Sequence, residues 1–244
     1  MAKIPQKPDE IFEAFTADYK AVFGADLESI ILYGSAARGE YVHKVSDINF
    51  MIVLTVPGMA RLASAMPLVE KWGKARVSTP LFLTQDYIDS SLDVFPIEFL
   101  NMKTAYKVVY GRDILGNMSF EKRFVRLQAE RELKAKLLLL RQRFVETEGK
   151  AKKIVELISL SLPAFGSVFQ AIEFLKDKPA CTTHARLLPS VAADTGLNSG
   201  LFETLAAVRK KVKKPDSAEA LKLLQAYIAE VEKLTIQIDT LPTP

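Results

Sequence analysis

The sequence predicts an α+β protein in which a mixed sheet flanked by helices is followed by an all-α helical bundle. Three observations support this class: apolar, β-rich runs occur in the first half, helical apolar spacing fills the second half, and the charge changes between them. Residues 1–116 carry 12 Lys and Arg against 14 Asp and Glu, whereas residues 117–244 carry 21 against 15. We therefore expect two domains, 1–116 and 117–244.

The first half reads as alternating helices and strands. Apolar residues recur at helical spacing in residues 10–23, which predicts the first helix, and a second helix is expected at 59–73. A strand ending at Gly34 is followed by a longer one stopped by Pro57-Gly58. The strands are predicted at 30–33, 48–56, 77–83, 94–102 and 105–111.

The second half is predicted to be helical, with apolar stripes that pack in the core of the bundle. One stripe runs from Leu133 to Phe144, and another, from Ile154 to Ile172, is expected to bend at Pro163. A helix over 216–238 should begin at Asp216, which forms a capping pair with Glu219.

Composition excludes several kinds of protein. Hydrophobic residues make up 49% of the chain and charged residues 25%, which is ordinary for a globular protein. The single cysteine, Cys181, excludes an intramolecular disulfide framework and a multi-thiolate zinc site. The first ten residues lack the apolar core of a secretion signal, and the apolar stretch 157–172 is shorter than a bilayer requires. We expect a cytoplasmic protein that does not enter a membrane.

The residues with the clearest chemical pattern lie in 31–54. Gly34 permits a tight turn after the first strand, and Ser35 can cap the next helix or donate to an anion. Residues two apart on a strand project to one face, so Asp47 and Asn49 should point together while Ile48 enters the core. Paired polar groups at the start of an apolar strand are costly unless they bind something, such as a divalent cation with a triphosphate.

This segment resembles the DNA polymerase β-like nucleotidyltransferase superfamily, and the two-domain plan is similar to the aminoglycoside adenylyltransferases. The resemblance implies a nucleoside triphosphate such as ATP, one or two Mg²⁺ ions, and three carboxylates, the third on a later strand. Glu98 best matches that third acid, with Asp93 as its competitor. The resemblance implies metal binding by Asp47, Asn49 and Glu98, catalysis by Asp47 and Glu98, and nucleotide binding by Gly34, Ser35, Arg38 and Ser46.

Asn49 departs from the family pattern, which has a second carboxylate at this position. An amide oxygen can ligate Mg²⁺ but brings no negative charge, so the metal site is weakened. Two functions follow. The chain either transfers a nucleoside monophosphate to the hydroxyl of an unidentified small molecule or protein, or it is a degenerate module that binds a nucleotide, protein or nucleic acid.

The basic residues of the second half leave a further question open. They concentrate in 121–143 and 209–214, and they form either solvated helix faces or a surface for an anion such as triphosphate or nucleic acid. The basic balance of the predicted bundle argues against a polycationic aminoglycoside as the acceptor.

Overall fold

The structure is a computed structural model that describes residues 3–181 and 184–242, without the side chains of residues 184 and 185. The chain divides into two compact units, Met1–Ser119 and Phe120–Pro244. The first contains a four-stranded sheet with helices, and the second is helical, so the fold class is α+β as predicted. The domain boundary expected at 116 and 117 stays a prediction.

The sheet of the first unit has the strand order β3-β2-β1-β4. Its strands are β1 (Leu27–Tyr33), β2 (Asn49–Leu54), β3 (Leu81–Leu83) and β4 (Tyr106–Gly111). The central strand β1 pairs antiparallel with β2 and with β4, whereas β2 pairs in parallel with β3. The strand expected at 77–83 is shorter than predicted, because Pro80 cannot donate a hydrogen bond to the ladder. Among the described residues before Pro80, the predicted segment pairs with the sheet only through a bridge between Ile48 and Val77.

The α-helices in the described residues of the first unit are α1 (Phe12–Phe23), α2 (Val56–Ala60), α3 (Met66–Gly73), α4 (Gln85–Asp89) and α5 (Pro96–Thr104). The single helix expected at 59–73 is divided, because Pro67 starts a new helix at α3 and a 3₁₀ turn, Leu62–Ala65, precedes it. The core lies between α1 and the sheet. There, Phe15 stacks on Phe50 at 4.2 Å between ring centroids and meets Trp72 edge-on at 5.3 Å.

The prediction of a strand at 94–102 is wrong, since residues 96–102 lie in α5. Alternating apolar residues suggested a strand, but the buried residues Ile97 and Leu100 are three apart and share one face of a helix. Pro96 favours this outcome because its fixed φ suits the first turn of a helix.

The second unit contains α6 (Lys122–Glu146), α7 (Ala151–Ser161), α8 (Gly166–Leu175), α9 (His184–Thr195), α10 (Ser199–Arg209) and α11 (Ser217–Asp239). The predicted bend at Pro163 is present as a 3₁₀ turn, Leu162–Phe165, between α7 and α8. Around it, Phe165 and Phe202 each pack edge-on against Tyr227 with 5.9 Å between ring centroids.

One stretch, Ala151–Leu175, is long and apolar enough to cross a membrane by length and composition alone. Core helices of soluble proteins pass the same test, and this stretch is broken by the turn at Pro163. Ile154, Ile158 and Ile172 are buried in the helical unit. The expectation that the chain stays outside a membrane remains a prediction.

The N-cap predicted for the last helix is confirmed at Asp216, whereas the Glu219 carboxylate forms an ion pair with Lys213 at 2.7 Å. Asp216 is the N-cap of α11, and its Oδ1 accepts a hydrogen bond from the backbone N–H of Glu219 at 2.8 Å. We expect Asp216→Ala to lower the free energy of unfolding of the helical unit by about 1 kcal/mol, because an N–H at the helix start loses its acceptor. Urea unfolding followed by far-ultraviolet circular dichroism measures this loss. Ser217→Ala, at the adjacent exposed position, is the control and should change the stability by less than half as much.

Candidate functional site

The turn that follows β1 is where the sequence motif places an anion. Gly34 has a φ of +79°, and the backbone N–H groups of Ala37 and Arg38 both donate to its carbonyl, at 3.1 Å each. A Cβ placed on Gly34 would lie 3.0 Å from Nδ2 of Asn49. Tyr33 and Asn49 are paired in the β1–β2 register, which brings the Asn49 amide over the turn. The structure thus brings Gly34 and Asn49 together.

Burial alternates along the start of β2 as the sequence indicates. Asp47 is exposed, Ile48 is buried, Asn49 is half-buried and Phe50 is buried. The two polar residues therefore lie outside the core while their neighbours pack in it. Next to Asn49 in the ladder, burial raises the pKa of the Tyr33 phenol, so this hydroxyl stays protonated at neutral pH.

Asp47 has a partner that the sequence reasoning missed. Nη2 of Arg76 lies 2.9 Å from Oδ1 of Asp47. The parallel bridge between Ile48 and Val77 explains the contact. Asp47 and Arg76 directly precede these two residues and therefore lie side by side. The predicted strand at 77–83 was the signal that could have found Arg76, but the sequence does not say which strand pairs with β2, or in which direction.

The remaining predicted binding residues have local partners. Nε of Arg38 forms an ion pair with Oε2 of Glu40 at 3.2 Å, and the Arg38 side chain is only 18% exposed. Ser46 Oγ accepts a hydrogen bond from the backbone N–H of Val42 at 3.0 Å, which closes a turn in the loop before β2. The half-buried Ser35 lies in the 3₁₀ turn Gly34–Ala36, directly after β1.

The loop before β2 is fastened to the start of the chain. The carbonyl oxygen of Pro5 accepts a hydrogen bond from the Tyr41 hydroxyl at 2.9 Å, and Nδ1 of His43 lies at the same distance from it. These contacts give His43 a structural role. They also hold the loop that carries Ser46 and Asp47.

Glu98 does not occupy the position that the resemblance requires. It is exposed in the first turn of α5 instead of lying on a strand. The strands β3 and β4, which form the two edges of the sheet, contain no acidic residue, so neither supplies a third carboxylate.

The residues present do not fit a site for two Mg²⁺ ions. Asp47 is the one carboxylate of the motif at β2, it is shared with Arg76, and Asn49 adds no charge. In residues 3–181 and 184–242, no group of three His, Cys, Asp or Glu side chains is placed to hold a metal ion. Two dications bound side by side need several anionic ligands to offset their repulsion.

The basic residues of α6 are largely neutralised by neighbouring acids. Arg126 and Lys134 both pair with Glu130, at 2.8 and 2.5 Å, and Arg141 pairs with Glu232 of α11 at 2.6 Å. Further pairs join Lys122 to Asp177, Arg123 to Glu121, Lys136 to Glu132 and Arg143 to Glu146. This pairing favours a solvated helix face over a nucleic-acid surface.

Comparisons with known proteins find similarity at the level of structure. No family model matches the sequence, and no curated protein matches it. Among solved structures, the chain is similar to the spectinomycin adenyltransferase AAD(9) from Enterococcus faecialis, determined with ATP and spectinomycin. The TM-score is 0.48 and the sequence identity 10%, over 90% of this chain and 99% of that chain. The functional proposal therefore rests on this chain's own residues.

Proposed function

We propose that the N-terminal unit is a nucleotidyltransferase-like module that binds a nucleoside triphosphate at the turn after β1 and does not transfer the nucleotide efficiently. The observation that carries this proposal is the packing of the Asn49 amide over Gly34. It joins the two parts of the motif, which are fifteen residues apart in the sequence, at one point of the molecule.

The chemistry of this point suits phosphate groups. A glycine at the turn lets an anion approach the backbone closely, and the Ser35 hydroxyl is a donor in the same turn. Arg38 follows within the turn, and its planar guanidinium matches phosphate geometry. Asn49 contributes amide N–H donors in place of a carboxylate that would repel phosphate.

Calorimetric titration of the whole chain with ATP tests the proposal. We expect saturable binding at one site, with a dissociation constant between about 1 µM and 1 mM. If the chain releases or absorbs no heat with ATP, and ATP does not raise its melting temperature, both with and without Mg²⁺, the proposed function is wrong.

Asn49→Asp should weaken the binding of metal-free ATP about tenfold, because a new negative charge lies beside the phosphate site. Titration of both proteins in excess EDTA measures the change. Asn117→Asp is the matched control: it adds the same charge at an exposed position of the same unit and should leave the affinity within about twofold of wild type. Equal weakening by both variants would mean that Asn49 is not near the bound phosphates.

Nucleotidyl transfer to a hydroxyl acceptor is the second candidate function. Two features of the motif favour it: Gly34 and Ser35 follow β1 directly, and Ser46 and Asp47 lie in the loop just before β2. Asn49 and the position of Glu98 count against it. Incubation with α-labelled ATP and a mixture of protein and small-molecule hydroxyl acceptors distinguishes nucleotidyl transfer from nucleotide binding without transfer. We expect no label transfer by wild type. Transfer at a rate equal to or above that of Asn49→Asp would show that wild type is an enzyme.

A further inference from the structure

Arg76 is held beside Asp47 by several contacts. Besides its ion pair with Asp47, Nη2 donates to the carbonyl oxygen of Val45 at 2.8 Å, and Nε donates to that of Ser46 at 3.5 Å. The backbone is fixed as well, because the N–H of Ile48 donates to the Arg76 carbonyl at 2.9 Å. The guanidinium thus bridges the end of the turn after α3 and the loop before β2.

These contacts make the Asp47 carboxylate a poor ligand for a dication. A cation bound to Asp47 would share the carboxylate with a guanidinium that two backbone carbonyls hold in place. The two positive charges would then lie only a few ångströms apart and repel each other.

We infer that Arg76 takes the place of a divalent cation at Asp47, so that this chain binds the nucleoside triphosphate without Mg²⁺. The inference rests on the proposed function and specifies its ligand as the metal-free triphosphate. Arg76 neutralises Asp47, which would otherwise repel the phosphates, and it positions the loop that carries Asp47. None of its contacts named above uses Nη1, which supplies two further N–H donors for an added anion.

The experiment compares ATP titrations of the whole chain in excess EDTA and in excess Mg²⁺. Wild type should bind ATP with affinities within about threefold of each other in the two buffers. Arg76→Gln leaves Asp47 without its cation, so its affinity should be at least about tenfold higher in Mg²⁺ than in EDTA. Arg112→Gln is the matched control, since it removes an exposed ion pair with Glu28 in the same unit, and it should behave like wild type.

A second measurement needs no nucleotide. Mn²⁺ titration followed by electron paramagnetic resonance should show no binding by wild type at concentrations where Arg76→Gln takes up one ion. Two results would overturn the inference while leaving the proposed function intact. One is binding of Mn²⁺ by wild type, and the other is a wild-type affinity for ATP that is about tenfold or more lower in EDTA than in Mg²⁺. No ATP binding in either buffer would refute the proposed function itself. The wild-type comparison decides the question even if Arg76→Gln does not fold.

Discussion

Replacing Gly111 by alanine should unfold the sheet-containing unit at denaturant concentrations that wild type withstands. Gly111 ends β4 with a φ of +80°, and an added Cβ would lie 1.9 Å from the carbonyl oxygen of Glu28 and 3.0 Å from Cα of Ser29. Both obstacles are backbone atoms of the central strand β1. Ser29 is fully buried, and its hydroxyl donates to the carbonyls of Tyr110 and Arg112, at 3.1 and 2.8 Å, so the strands cannot separate cheaply.

We expect Gly111→Ala to cost about 3–5 kcal/mol, a large part of the stability of a typical domain. The chain has one tryptophan, Trp72, which is buried in the core of this unit, so its fluorescence during urea unfolding reports the change. Gly24→Ala is the control: Gly24 also has a positive φ, of 58°, but no atom lies within 4 Å of an added Cβ. Backbone strain alone, at a φ of 58° and a ψ of −124°, should then cost about 1–3 kcal/mol. Equal losses in the two variants would contradict the assigned β1–β4 pairing.

Gly34→Ala should abolish most ATP binding while the chain stays folded. Its Cβ would press on the Asn49 amide at 3.0 Å and displace the side chain that the proposal places beside the phosphates. We expect the dissociation constant for ATP to rise at least about tenfold.

Gly39→Ala is a closely matched control for this effect. Gly39 has nearly the same φ, +75°, but an added Cβ there meets nothing within 4 Å. Both variants bear the strain of a left-handed alanine, about 1–2 kcal/mol, so only the contact with Asn49 separates them. ATP affinity of Gly34→Ala equal to that of Gly39→Ala would place the nucleotide elsewhere.

The features that the sequence predicts well are local. The turn at Gly34 and the alternation from Asp47 to Phe50 depend on neighbouring residues, and the N-cap bond of Asp216 spans one helical turn. The structure contains all three. Glu98 was wrongly predicted to lie on a strand, because the apolar spacing of its segment fits both a strand and a helix. Whether the segment folds as a helix depends on Pro96 and on what Ile97 packs against.

Arg76 could not be predicted from the sequence for a different reason. Its ion pair with Asp47 exists because the segment containing Val77 runs parallel to the segment containing Ile48 and lies next to it. Which segments pair, and in which direction, is a property of the whole sheet. No spacing rule connects residues 47 and 76. The family resemblance predicts metal ligands and gives no reason to expect a basic residue from the neighbouring element beside Asp47.

The hydrogen bonds that Pro5 accepts have a practical consequence for anyone who handles this protein. They connect Pro5 to Tyr41 and His43, and through that loop to Ser46 and Asp47. An affinity tag fused close to Pro5, or a protease cut just after it, would loosen the loop and alter ligand affinity without changing any residue of the site. A tag at the opposite terminus leaves this connection intact and is the better choice for every titration proposed.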